Sequence, residues 1–478
     1  MNKYVISKID GSTTELSEEE ISSFSESLHG ELVTPSSTQY DEVRAIWNGM
    51  INRRPGLIVR CHGAADVVQA VNFAKKHEMR ISVRGCGHNI AGSAVCEGGL
   101  MIDLKPMDSV HIDPMRRTAR VEPGCTLADF DHEAQAFGLA TPTGINSTTG
   151  ISGLTLGGGF GWLSRKYGMT IDNLLSADVV TADGQLVQAS KESNQDLFWA
   201  IRGGGGNFGV VTSFEFQLHP VGPEILSGLI VHPFDNAKQV LQFYRAFVAD
   251  LPDETAVWTV MRLAPPLPFI PTEFHGKPVV VLAAFHNGDI GEGERILQPL
   301  RNFGSPIADV IGPHTYAAWQ KTFDPLLTAG ARNYWKSHNF QTLSDGLLDK
   351  VIEYVNKLPS PHTEIFIGLV GGQMNRIGEE ETAYPHRDSN FIMNVHGRWE
   401  TPAEDEACIT WSRNFFRETA EYATGGVYVN FLTEEETDRI KAAYGANYKR
   451  LVEVKTKYDP DNLFRSNQNI APRKVAMS

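Results

Sequence analysis

Glycine is concentrated in three short stretches of the first 212 residues: RGCGHNIAG (84–92), TGISGLTLGGGFGW (149–162) and IRGGGGNFGVVT (201–212). Without a Cβ, backbone N–H groups face outward and approach a ligand closely, forming nests suited to a pyrophosphate or a flat ring. One such cluster reads as an ordinary tight turn. Three in one half of a chain point to a large, phosphate-bearing cofactor. A dinucleotide fold of the Rossmann type would place G-x-G-x-x-G directly after its first strand, with an acidic residue about 20 positions on. Here GGGFG is expected to follow a loop, and WLSRKYGMTIDNL after it does not read as a crossover helix, so that alternative is weak.

Around the glycines, residues 55–220 alternate short apolar runs (GLIVRC, RISVRG, LMIDL, TARVEPG, ADVVTADGQLV, GVVTSFEFQL) with helical patterns such as ADVVQAVNFAKKH. After HPVGPEI come longer amphipathic helices (DNAKQVLQFYRAFVADLP, DGLLDKVIEYVNKLP, EDEACITWSRNFFRETAEYA) and strands (KPVVVLAAF, EIFIGLVGG, NFIMNVHGRW, GGVYVNF). That texture predicts an antiparallel sheet with helices on one face, hence an α+β chain of two domains. The expected boundaries are 1–220 with 435–478 for the first domain and 221–434 for the second. LAPPLPFIPTEF reads as a loop, and the tail from TEEETDRIK as a helix capped by Thr433.

A net charge of -14, with no basic patch, argues against nucleic acid and anionic membranes as partners. The N-terminus lacks the apolar core of a signal peptide, and no apolar run reaches bilayer length, so a soluble, cytoplasmic protein is expected. Five cysteines without C-x-x-C spacing argue for free thiols and against a zinc or other metal site.

His88 alone in a turn would be an ordinary surface histidine. Its company changes the reading. RGCGHNIAGSA, STTGISGLTLGGGFGWLSRKYG, ADVVTADGQ, DLFWAIRGGGGNFGVVTSFEF and NYKRLVEVKTKYDPDNLFRSNQNI, in that order from about Pro55 to Pro472, resemble the vanillyl-alcohol-oxidase type of flavoprotein. The likeness is greater to its berberine-bridge-enzyme-like branch of FAD-linked oxidases, in the bacterial style.

The resemblance implies a PCMH-type FAD-binding fold of two α/β subdomains, plus a substrate domain whose antiparallel sheet is covered by helices. It implies FAD as cofactor, attached through the flavin 8α-methyl to the position of His88. Around the flavin it places Arg84, Gly85, Cys86, Gly87, Asn89, Ile90 and Ser93; Thr149, Gly150, Gly153, Gly158, Gly159, Gly161 and Trp162; Gly209, Val210 and Val211; and Tyr428, Asn467 and Asn469.

The chain departs from the family pattern in places. A second link in many relatives comes from a cysteine at the place of Asn146, so a single bond through His88 is expected. Cys86 reads as small packing. Leu154 and Thr149 replace residues that contact the flavin or gate oxygen in plant-type relatives. The second tyrosine of a Y-x-N-Y motif, often the catalytic base, is here Phe431 in VYVNFL, which leaves Tyr428 and Asn430. Three routes stay open: Tyr428 with a pKa lowered by a cation, His396 beside Asn394 on one face of NFIMNVHGRW, or a substrate that needs no strong base. Tyr334, Trp335 and Lys336 are expected along the same cavity, or as an amphipathic strand with a snorkelling lysine.

The resulting expectation is two-electron oxidation of a small alcohol, sugar or amine, with hydride passing to flavin N5 and electrons to O2 as H2O2. A same-fold dehydrogenase with another acceptor and a flavin-bearing binder without turnover remain as rivals.

Overall fold

In a computed structural model, residues 4–473 are described; the outermost residues of the expected first domain, 1–3 and 474–478, lie outside them. Two sheets make the glycine-rich half. The first has the order Glu31–Val33, Leu57–Arg60, Leu100–Asp103, Ile81–Arg84, with its last three strands parallel. Parallel strands need crossovers, and the helix Ala64–Lys76 supplies one, burying Val67, Ala70, Val71 and Ala74 at helical spacing. The second sheet is antiparallel, in the order Leu186–Ser190, Leu174–Val180, Val210–Gln217, Thr118–Val121, Val110–Asp113. The end of the chain returns here: Tyr444, Leu451, Val454 and Ile470 share one core with Phe198, Phe208 and Phe214.

Residues beyond 223 build one large antiparallel sheet, whose main path is Ala308–Asp309, Glu224–Pro233, Pro278–His286, Thr255–Leu263, Glu364–Leu369, Phe391–Trp399, Arg332–Phe340. Helices Ala237–Phe247, Asp345–Val355 and Asp405–Thr419 cover one face with Val240, Leu241, Tyr244, Leu347, Leu348, Val351, Trp411 and Phe415. The other face roofs the glycine-rich half. The architecture is the α+β, PCMH-type arrangement expected. No described helix is long and apolar enough to cross a membrane.

Three local expectations are corrected. GGGFG follows a helix, Ile151–Leu156, not a loop. GGVYVNF is not a strand: Val429–Phe431 forms a 3-10 turn, because Tyr428 and Asn430 bond to the glycine segment rather than to a neighbouring strand. The tail helix starts later than Thr433. That residue's N–H and hydroxyl do bond Glu436, but Glu435 and Glu436 are drawn to Lys336, and helical turns begin at Thr437–Arg439.

Candidate active site

One cavity, of about 310 Å³, lies between the two halves and falls within the usual range for small-molecule sites. Its floor is glycine backbone. A Cβ on Gly85 would lie 2.2 Å from Ser152 Oγ, and one on Gly150 would lie 2.8 Å from Cys86 Cβ, so only glycine lets the loop 85–87 meet the helix Ile151–Leu156. Gly153 and Gly206 differ. Apart from the adjacent chain, and for Gly153 its own helix backbone, a Cβ there would meet no atom of the described residues within 4 Å, so both open directly onto the cavity. Such a bare backbone cradle, walled by Ile81, Val83, Val211 and Phe464, fits a flavin dinucleotide.

Most residues expected at the flavin line this space: Gly85, Cys86, Gly87, His88, Asn89, Ser93, Thr149, Gly150, Gly153, Gly209, Val210, Val211, Tyr428 and Asn467, together with Asn430 and His396. Others do not. The Arg84 side chain turns to Asp103 (2.7 Å) and to the carbonyls of Val43 and Ala45. Ile90 is buried, with its carbonyl bonded to Asn48. Gly158, Gly159 and Gly161 sit behind the wall, where a Cβ would strike Met169, Thr170 or Thr143. Trp162 stacks on Trp258 at 4.4 Å, and Asn469 faces a neighbouring cavity beside Arg80. Asn394 shares the face of His396, as its period of two predicts, but it is sealed off, with no hydrogen-bond partner among the described residues for either side-chain polar atom.

His88 Nε2 lies 3.0 Å from Thr148 Oγ1, and its Nδ1 lies 3.5 Å from Thr149 Oγ1. The ring stacks on Trp47 at 5.0 Å. Burial pushes its pKa down to about 3, so the imidazole is neutral and nucleophilic at physiological pH. Cys86 is directed at the Gly124 carbonyl, and burial pushes its thiol up to about 11, which suits packing and not reaction.

The roof is built from side chains. His396 Nδ1 lies 2.9 Å from Glu364 Oε1, and Glu364 Oε2 lies 2.7 Å from Arg262 Nη1. Strand register makes this chain, pairing Arg262 with Glu364 and Glu364 with His396. Burial alone would raise the Glu364 carboxyl, but Arg262 and the bond to His396 more than offset it and hold the pKa at about 2. An ionised Glu364 accepts the Nδ1 hydrogen, so that in the neutral ring the lone pair is the one on Nε2. Nε2 makes no hydrogen bond among the described residues, and His396 lines the cavity. Its ring stacks on Trp335 at 4.5 Å and on Phe366 at 6.0 Å.

Tyr428 is placed differently from the expectation of a lowered pKa. Its oxygen accepts hydrogen bonds from Gly159 N–H (2.9 Å) and Asn430 Nδ2 (3.0 Å), neither of them charged, and burial pushes it up to about 12. Of the trio in the strand Arg332–Phe340, only Trp335 reaches the cavity. Tyr334 and Lys336 point to the opposite face, and Lys336 does not snorkel, being buried against Glu435 and Glu436. Sequence reading missed Trp47, Trp258, Phe366, Glu364 and Arg262. Only strand register joins the last two to His396, and no motif marks Trp47.

Comparison with known proteins agrees with this geometry. Residues 55–190 match the FAD binding domain family, and residues 427–471 match the family described as berberine and berberine like. An FAD-linked oxidoreductase of Dictyostelium discoideum is 31% identical over 457 residues, which is 95% of this chain and 97% of that protein. (R)-6-hydroxynicotine oxidase of Paenarthrobacter nicotinovorans is 32% identical, over 93% of this chain and 97% of its own. The crystal structure of 6-hydroxy-D-nicotine oxidase from Arthrobacter nicotinovorans superposes with a TM-score of 0.84 at 29% identity, covering 94% of this chain and 99% of that one. A cavity floored by glycine backbone, with a neutral histidine at its edge, thus sits in a chain that these relatives match over 93–95% of its length, and the chain belongs to the berberine-bridge-enzyme-like family of FAD-linked oxidoreductases.

Proposed function

We propose that this enzyme holds FAD through one covalent bond to His88 and oxidises a small, ring-bearing alcohol or amine, with His396 as the proton acceptor. The observation that carries the reading is the Arg262–Glu364–His396 chain, which presents an unpartnered imidazole nitrogen to the cavity that also contains His88. Bound flavin supplies the two-electron acceptor at its N5, and dioxygen as final acceptor yields H2O2.

His396 Nε2 takes the proton of the substrate hydroxyl or amine as the neighbouring C–H bond breaks. Glu364 holds the opposite nitrogen in its protonated form and stabilises the imidazolium that results. Trp258, Trp335, Phe366 and Phe431 surround His396 with apolar surface, which favours a flat, largely apolar substrate over a sugar. The relative that oxidises (R)-6-hydroxynicotine supports a substrate of this kind. Tyr428 and Asn430 fasten the glycine floor, and Thr149, Asn89 and Asn467 remain as polar contacts for the cofactor. The first domain, proposed as 1–220 with 435–478, thus binds FAD, and residues 221–434 bind substrate.

The test is an anaerobic screen of ring-bearing alcohols, amines and sugars, read as loss of flavin absorbance, followed by admission of air. Bleaching by a ring-bearing alcohol or amine, with fast return of colour and H2O2, is the expected result. Bleaching by sugars alone would overturn the substrate class, and slow recolouring in air would identify a dehydrogenase.

A further inference from the structure

Two residues beside His88 decide which of its nitrogens is bare. Asn146, 9% exposed, stands where a second flavin link is expected in relatives and absent here. Its Oδ1 accepts the backbone N–H of Thr148 at 3.0 Å and the Thr148 hydroxyl at 2.6 Å. A backbone N–H can only donate, so the Asn146 atom facing it is the carbonyl oxygen and not the amide nitrogen. That oxygen cannot donate, so the single Thr148 hydroxyl proton points to it. Thr148 Oγ1 is left with lone pairs only, 3.0 Å from His88 Nε2. Nε2 therefore carries the imidazole hydrogen. A neutral imidazole has one N–H, and so Nδ1 is bare. The surroundings of the ring agree: Nδ1 faces Thr149, which lines the cavity, whereas Nε2 faces Thr148, which does not.

We propose that Asn146 and Thr148 act as a tautomer lock, directing the His88 Nδ1 lone pair into the cavity as the nucleophile that attaches the flavin. The inference rests on the covalent reading of His88 proposed above. In the attachment, a bond forms between Nδ1 and the 8α carbon, one C–H bond of that methyl group breaks, and the Nε2 hydrogen leaves the alkylated ring as a proton. The two hydrogens and two electrons so released reduce one dioxygen to H2O2. Thr148 Oγ1 faces the nitrogen on which positive charge grows as the bond forms. Asn146 and Thr148 are positioning residues, since they act through His88. Asparagine at 146 thus does more than lack a thiol: its oxygen orders the hydroxyl that orders the imidazole.

The test uses protein produced under riboflavin limitation and then incubated with FAD in air, with covalent attachment followed by intact mass and non-covalent binding followed by flavin fluorescence. Wild type and Thr148→Ser should attach flavin at equal rates. Thr148→Val should bind FAD with unchanged affinity yet attach it about 10- to 100-fold more slowly, by analogy with the loss of an outer partner that orients a metal-ligating histidine. Nitrogen NMR of the flavin-free wild type, labelled in its imidazoles, should show His88 as the Nε2–H tautomer, and that measurement does not depend on any variant folding. Attachment by Thr148→Val at the wild-type rate, or an Nδ1–H tautomer in the wild type, overturns the lock while leaving the anchor intact. A wild type that takes up FAD but never gains its mass overturns the anchor itself, while the NMR result still decides the tautomer.

Discussion

The floor and the roof of the cavity are made by opposite means. The floor is made by omission: Gly85, Gly150, Gly153 and Gly206 leave out side chains so that backbone segments meet each other or open onto the ligand. The roof is made by placement: Trp335, Glu364, Phe366, His396 and Arg262 come from four strands and are aligned by register, with Arg262 and Glu364 102 residues apart in sequence. A floor of backbone suits a cofactor whose shape does not change. A roof of side chains can be altered residue by residue without disturbing that floor, so the substrate should vary among relatives while the flavin does not.

The sharpest way to break this contrast is to remove the imidazole that the roof presents to the cavity. His396→Phe should slow flavin reduction by substrate about 100- to 10,000-fold, as loss of a general base does, and leave covalent flavin content unchanged. Anaerobic stopped-flow absorbance measures the first and intact mass the second. A parallel fall in both would mean that floor and roof are not separable.

Glu364→Gln follows. It strands the Arg262 guanidinium, whose side chain is 9% exposed, and should cost about 3–5 kcal/mol in urea unfolding near neutral pH. The pH dependence has a fixed sign. Because the folded pKa is held down at about 2, the ionised carboxyl contributes stability above the ordinary carboxylate pKa of about 4.3, and the contribution is lost as pH falls toward 2. The stability gap between wild type and Glu364→Gln should therefore close over that interval. A gap that is constant with pH would remove the ion chain from the roof.

Gly153→Ala tests the floor. The residue lies in the helix Ile151–Leu156, and its added methyl meets no protein atom, so the flavin-free protein should gain about 0.5–1 kcal/mol. Uptake of FAD should fall at the same time. A variant that is both stabilised and fully loaded would show that Gly153 does not face the cofactor. The smallest effect belongs to Tyr428→Phe, which loses two hydrogen bonds accepted from Gly159 and Asn430: a few-fold change in reduction rate, with no change in the shape of its pH profile. Loss of a basic limb would restore Tyr428 as the base.

The same contrast explains what could be read from sequence. Floor residues are neighbours in the chain, so the loop 85–93, Thr149 to Gly153 and Gly209 to Val211 were visible as glycine clusters, and the relevant histidine stood inside one of them. Errors there concerned depth: Gly158, Gly159 and Trp162 belong to the cluster but pack behind the wall. For the roof, a period of two placed Asn394 and His396 on one face, yet it could not tell that the first would be sealed and the second open. Glu364 has no local signal at all, because its partner is 32 residues away and meets it through strand pairing. GGVYVNF looked like a strand because Val427 and Val429 serve one core and Tyr428 another, an alternation that a tight turn between two cores also produces.

The covalent anchor is the claim on which floor, roof and lock converge, and peptide mapping after acid precipitation tests it most directly. Protein loaded with FAD should give a yellow pellet, and digestion should yield one flavin-bearing peptide, containing His88 and modified on its imidazole. A colourless pellet with the flavin in the supernatant, or a flavin-bearing peptide that lacks His88, would contradict it.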